Sequence, residues 1–190
     1  KRLILQEYVY PYLEISDVEN VTDETLVIHI RSGDIFGGWT HKNYIQPPLS
    51  FYKKIIRETD FSNIIIITQQ DKKNPCVDGL LSWNPEIKIQ TGSLREDVSA
   101  ILKARKLVIG FGTFGWMLSL MSKNINSLFC PESNQDLFSS FFMSPPFTIK
   151  RYSFRNYIES GTWENTDEQR ELMLSYSEDK IGEVNVNGYQ

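Results

Sequence analysis

The sequence predicts an α/β fold: a Rossmann-like domain, three layers deep, with helices on both sides of a mostly parallel sheet. Three observations carry this reading. Short apolar runs alternate along the chain with segments of helical period, the pattern of repeated strand–helix units. Residues 63–68 contain four consecutive isoleucines, which suits a strand buried on both faces, as parallel sheets require. Composition agrees, with 41% hydrophobic and 23% charged residues in a chain of 190, enough for one domain with its own core.

Taken in order, residues 2–13 read as a helix with Leu3, Leu5, Tyr8, Val9 and Tyr12 on one face, and residues 16–25 as a polar loop. Residues 26–31 form the first strand, followed by a loop over residues 35–45 that holds Gly37, Gly38, Trp39 and His41. Pro47 and Pro48 open a helix to about Glu58, turning Tyr52, Ile55 and Ile56 inward. After the isoleucine strand, residues 69–75 are a polar turn, 79–83 a short helix and 87–90 a third strand. Ser93 and Glu96 have capping-box spacing and begin a helix to about Arg105, with Val98, Ile101 and Leu102 inward. Residues 107–110 are a fourth strand, 113–121 an apolar helix and 127–130 a fifth strand. An aromatic, proline-containing stretch over 139–147 leads to a last strand over 148–152. Thr166 and Gln169 cap a final helix to about Tyr176, which Trp163 packs down. The tail over 183–190 reads as loose. The whole chain is expected to be a single domain, with residues 1–25 leading in as a linker and helix. No internal repeat or low-complexity segment interrupts it.

The bulk numbers also exclude some functions. A net charge of −4 argues against a broad nucleic-acid surface. No apolar run reaches the roughly 18 residues of a membrane helix. The two histidines and two cysteines are scattered, without zinc-ligand spacing, so no metal is expected. Cys76 and Cys130 are candidates either for a disulfide or for free thiols, Cys130 reading as a small buried strand residue. Asn20-Val21-Thr22 is a sequon, used only in a secretory compartment.

The chemistry concentrates in Val27-Ile28-His29-Ile30-Arg31-Ser32-Gly33-Asp34. Here a buried strand runs out into a polar turn, the edge at which open parallel sheets bind ligands. Arg31 is either a planar guanidinium placed to bind two phosphate oxygens at once, a structural ion-pair partner of Asp34, or a surface arginine. His29 is either a core histidine or a pocket group. Asp34 is either a partner for Arg31, a turn former after Gly33, or an aid to an acceptor hydroxyl. A second polar stretch runs from Ser93 through Asp97 to the Gly110-Phe111-Gly112-Thr113-Phe114-Gly115 turn.

The His-x-Arg-x-Gly-Asp pattern after a strand resembles the donor-domain motif of the fucosyltransferase superfamily: α1,2- and α1,6-fucosyltransferases and protein O-fucosyltransferases. The Ser93–Gly115 stretch resembles the other shared block of that superfamily, and the likeness spans roughly residues 26–132. It implies a donor-binding Rossmann-like domain, one half of a GT-B fold, that takes GDP-fucose without a metal and transfers the sugar with inversion to a glycan or protein hydroxyl. Arg31 would hold and neutralise the leaving diphosphate, and His29 would shape the donor pocket. Asp97 would read the guanine edge, while Thr113 and the amides of Gly112 and Phe114 would form the phosphate cradle. Read without the resemblance, Asp97 is equally a first-turn acid favoured by the helix dipole, and Thr113 an N-cap. Ser32 stands where many relatives carry a second arginine, and Gly112-Thr113 where Ser-Thr or Ser-Ser is common. An acceptor domain would precede the first strand, and this chain is expected to lack it. The resemblance implies the Golgi lumen for this chain if it is eukaryotic and the cytoplasm if it is bacterial.

Other readings stay open at this point. The chain could be a nucleotide-binding module without turnover, or use another nucleotide sugar. Gly110, Gly112 and Gly115 also fit a dinucleotide fingerprint, with Glu132 near the expected acid position, so an NAD-dependent enzyme is a further alternative. Trp39, His41 and Tyr44 could stack on a sugar or simply pack. Asp71-Lys72-Lys73 lies either on the ligand edge or in a solvated turn.

Overall fold

The computed structural model describes residues 2–38, 40–132 and 147–184. Among the described residues there are seven strands: β1 (Thr25–His29), β2 (Asn63–Ile67), β3 (Lys88–Gln90), β4 (Lys106–Ile109), β5 (Ser127–Pro131), β6 (Thr148–Phe154) and β7 (Ile181–Val184). Six helices accompany them: α1 (Arg2–Tyr8), α2 (Leu49–Glu58), α3 (Pro75–Trp83), α4 (Leu94–Lys103), α5 (Thr113–Met121) and α6 (Asp167–Ser175). The strands form one sheet in the order β3-β2-β1-β4-β5-β6-β7. All neighbours pair in parallel except β6 and β7. The chain moves outward from β1 to β3, then returns to β4 and proceeds to the other side. The sheet therefore reverses direction between β1 and β4, the switch point at which doubly wound sheets leave a crevice.

The alternation of side chains along each strand builds two separate cores. Leu26, Ile28, Ile64, Ile66 and Val108 face a core shared with α2, α3 and α6. Val27, Ile65, Ile67, Leu107 and Ile109 face the core beneath α4 and α5. This is why the four isoleucines run consecutively: adjacent residues serve opposite faces, and both faces are covered. α2 turns Phe51, Tyr52, Ile55 and Ile56 into the first core at helical spacing. α4 carries the capping box, with Ser93 accepting from the Glu96 amide and Glu96 returning to the Ser93 amide. Thr166 and Gln169 do the same for α6. No helix among the described residues is long and apolar enough to cross a membrane.

Several sequence expectations need correction. Glu183 and Val184, the first residues of the tail expected to be loose over 183–190, instead complete β7, which pairs antiparallel with β6; residues 185–190 lie outside the described residues. The strand at 148–152 is thus not the last, and it extends to Phe154. α3 begins at Pro75 rather than Gly79, because Asn74 caps it by accepting from the Cys76 amide and Pro75 fills the first turn. The lead-in segment packs on the domain through α1. Arg2 and Gln6 of α1 donate to the carbonyls of Leu120 and Ser122 at the end of α5, covering groups that helix leaves unpaired. Leu3, Tyr8 and Tyr12 point to solvent, and Leu5 and Tyr10 make the core contact. Trp163, fully buried, hangs from the Ile35 carbonyl through its indole N–H and meets Phe36 edge-on, so it anchors the loop after β1. Cys76 and Cys130 are free and lie in the two different cores, on opposite sides of the sheet. The proline-containing stretch expected over 139–147 lies outside the described residues up to Phe147.

Candidate functional site

A cleft of about 330 Å³ opens at the carboxyl edge of the sheet, over the switch point. Its walls are residues 29–31 and Asp34 at the end of β1 and beyond it, residues 67–69 at the end of β2 and beyond it, Leu94 and Asp97 of α4, and residues 110–115 where β4 passes into α5. All seven residues expected to form the site line this one cleft: His29, Arg31, Asp34, Asp97, Gly112, Thr113 and Phe114. The register explains the meeting. His29 stands opposite Ile67 on one side and Ile109 on the other, so the turns leaving β1, β2 and β4 begin at one level.

Arg31 is the organising cation. Its Nη2 donates to both carboxylate oxygens of Asp34, at 3.2 and 3.1 Å. Its guanidinium also lies 4.2 Å from the centre of the Tyr44 ring, a cation–π contact. Tyr44, offered by the sequence as a sugar platform, thus has one face on Arg31; His41 packs beside it at 5.1 Å, and Trp39 lies outside the described residues. Asp34 is 65% exposed at its side chain, so the ion pair is open to solvent and to competing anions.

His29 is the last residue of β1 and packs its ring against Phe114 at 5.2 Å. Burial first, and the neighbouring Arg31 charge second, push its pKa down to about 4. It is therefore a neutral imidazole at physiological pH, suited to hydrogen bonding rather than to charge.

The turn before α5 is shaped by its glycines. Gly112 is the helix N-cap, with φ +118, a conformation open to glycine and hardly to other residues. Thr113 is the first helical residue, not the N-cap. Gly115 sits so close to β4 that a Cβ would lie 2.7 Å from Ile109 Cγ2. The absence of side chains at 112 and 115 lets the amino end of α5, with its unpaired N–H groups, come down beside Arg31 and His29. A Cβ on Gly112 would stand 3.8 Å from Arg31 Nη1.

Asp97 closes the other end. Its Oδ1 accepts from the Gln90 side-chain amide at 3.3 Å. Burial raises its pKa, the Gln90 hydrogen bond lowers it, Glu96 raises it and a Gly92 backbone hydrogen bond lowers it, with a net rise. A partly buried carboxylate of this kind gains from any donor that enters the cleft. Leu94, one helical turn away on the same face and 69% exposed, gives the rim an apolar lip.

The sequence reading did not foresee what holds the Arg31 turn. Ser32 is wholly buried and donates its hydroxyl to Asp71 at 2.8 Å. Its side chain faces the protein rather than the cleft. Asp71, which the sequence offers as a turn residue or a ligand-edge group, is bonded to the turn after β1; its place in the turn after β2 is the one signal the sequence carries. Glu132, at the exposed end of β5, does not line the cleft. Among the described residues no three His, Cys, Asp or Glu side chains gather as a metal ion would require. In comparisons with known proteins, the chain matches no family model, no curated protein and no solved structure.

Proposed function

We propose that this chain is the nucleotide-sugar-binding half of an inverting, metal-independent glycosyltransferase, with GDP-fucose as donor and a glycan or protein hydroxyl as acceptor. One observation carries the reading: a guanidinium, a helix amino end and a partly buried carboxylate, drawn from three separate segments, line a single cleft at the sheet's switch point. The cleft volume of about 330 Å³ lies at the lower end of the roughly 300–1,000 Å³ usual for ligand pockets.

In this reading each group has one task. Arg31 and the first amides of α5 receive the diphosphate, and they stabilise the charge that grows on it as the sugar–oxygen bond breaks. The acceptor oxygen forms the new bond from the opposite face of the sugar, and the diphosphate departs with the electron pair. Asp97 accepts from the N1–H and the exocyclic amine of guanine, a pairing that adenine and uracil cannot offer in the same geometry. His29 stays neutral and bonds or packs against the donor. Asp34 orients the guanidinium, and its exposed carboxylate would receive the acceptor's proton.

A second reading, an NAD-dependent enzyme, draws on the glycine spacing, since Gly112 and Gly115 have the left-handed turn and the close packing such fingerprints need. The position of Glu132 away from the cleft weighs against it. A donor panel separates these readings: saturation-transfer NMR of the chain with GDP-fucose, GDP-mannose, a UDP-hexose and NADH. Saturation of the GDP-sugars alone supports the proposal, and Asp97→Asn should abolish it; transfer to NADH or UDP-hexose instead refutes the guanine assignment.

A further inference from the structure

We propose that Asp71 is a positioning residue for the phosphate-binding arginine, clamping the turn that carries Arg31 to the turn after β2. The inference rests on the diphosphate reading of the cleft. The geometry is a closed set of hydrogen bonds across some 40 residues of chain. One oxygen of Asp71, Oδ1, accepts from the Ser32 hydroxyl at 2.8 Å, the Gly33 amide at 3.1 Å and the Lys73 amide at 3.3 Å. The Ser32 hydroxyl in turn accepts from the Asn74 amide at 3.0 Å. Asn74 donates its side-chain amide to the Arg31 carbonyl at 2.9 Å, and Gln69 accepts the Ser32 amide at 2.8 Å. Three successive backbone groups are thereby held: the Arg31 carbonyl, the Ser32 amide and the Gly33 amide.

The turn has no slack to drift. Gly33 is held at φ +73, and a Cβ there would strike the Gln69 side chain at 2.6 Å. Asn74 is itself fixed, since it caps α3. The Arg31 side chain leaves this immobilised backbone and meets Asp34 and Tyr44 at its tip. A guanidinium that must meet two phosphate oxygens at once depends on such pre-set direction. A carboxylate suits the centre of the clamp because charge strengthens all three donors that converge on it. Burial pushes the Asp71 pKa up, while the Ser32, Lys73 and Gly33 hydrogen bonds bring it below its usual value, so the charge persists. Lys73, with Nζ 3.8 Å from Oδ2, balances it.

The test is a double-mutant cycle on GDP affinity by calorimetry, using the full chain, with Asp71→Ala, Arg31→Ala and both together, and Asp71→Asn as the conservative variant. Asp71→Ala is expected to weaken GDP roughly ten-fold or more, and to cost nothing further once Arg31 is gone. Asp71→Asn, which keeps an acceptor oxygen in place, should recover most of the loss. Amide hydrogen exchange at Ser32 and Gly33, read on the ligand-free chain, should speed up in Asp71→Ala and largely return in Asp71→Asn. Additive losses in the cycle, or exchange at Ser32 and Gly33 unchanged by Asp71→Ala, overturn the clamp. A wild-type chain that binds no GDP overturns the diphosphate reading, and the positioning role falls with it.

Discussion

Substituting Gly115 by alanine probes the contact that brings α5 down to the cleft. The added Cβ would lie 2.7 Å from Ile109 Cγ2 and 3.0 Å from Ile109 Cβ. Ile109 cannot step aside: it is fully buried, branched at Cβ and paired in the middle of the sheet. Overpacking of this kind costs about 1–3 kcal/mol. An alanine in a helix recovers roughly 1 kcal/mol of propensity over glycine. The balance is a net loss of up to about 2 kcal/mol, a fall in Tm of up to about 8 °C for a chain of this size. Gly79 in α3 supplies the control. A Cβ there would approach Leu49 Cδ2 at 2.8 Å, the far end of a flexible side chain that can rotate away. Gly79→Ala should therefore leave Tm unchanged or raise it. Thermal unfolding of both variants, followed by circular dichroism, reads the difference. A rise in Tm for Gly115→Ala matching that of Gly79→Ala would show that α5 does not sit on β4 at this distance, and the proposed phosphate cradle would lose its support.

Further outcomes follow from the same geometry. With a folded-state pKa of about 4, below the ordinary 6.5, the neutral form of His29 stabilises the fold fully above pH 6.5. That contribution is lost as pH falls toward 4, because the unfolded chain takes the proton first; His29→Gln should flatten this acid limb in a Tm-against-pH series, and an unchanged limb would contradict the burial argument. Trp163→Ala removes a fully buried indole and orphans the Ile35 carbonyl, so urea titration should show a loss of about 3–5 kcal/mol. Burial pushes the Cys130 thiol up to about 12 and the Cys76 thiol well above its usual value. Both should stay silent to an aromatic disulfide reagent until the chain unfolds, then react together; fast labelling of either in the native protein would contradict their placement in the cores.

Much of the fold is legible in local pattern. α5 runs over the residues its apolar stretch marks, and the two capping boxes open α4 and α6 where Ser93 and Thr166 place them. β7 is not legible, because Ile181-Gly182-Glu183-Val184 is short and shows one buried residue; it becomes a strand only by pairing with β6. The start of α3 is legible in Asn74-Pro75, a cap followed by a first-turn proline, although the polar residues before it read as a turn. At the site, no periodicity links Arg31 with Asp97 and Thr113. The motif resemblance proposed them, and the register of β1, β2 and β4 accounts for their meeting. The Asp71 clamp and the Tyr44 contact are tertiary: Asp71 meets Ser32 across 39 residues, a distance over which residue spacing carries no signal.

The most direct test of the central claim is calorimetric titration of the chain with GDP, UDP and NADH in metal-free buffer, repeated on Arg31→Ala. The account requires GDP to bind, UDP and NADH to fail, and the Arg31→Ala variant to lose about 1.5–3 kcal/mol of GDP affinity, the size of a charge-assisted contact. GDP binding that is indifferent to Arg31→Ala, or a preference for UDP or NADH, would contradict it.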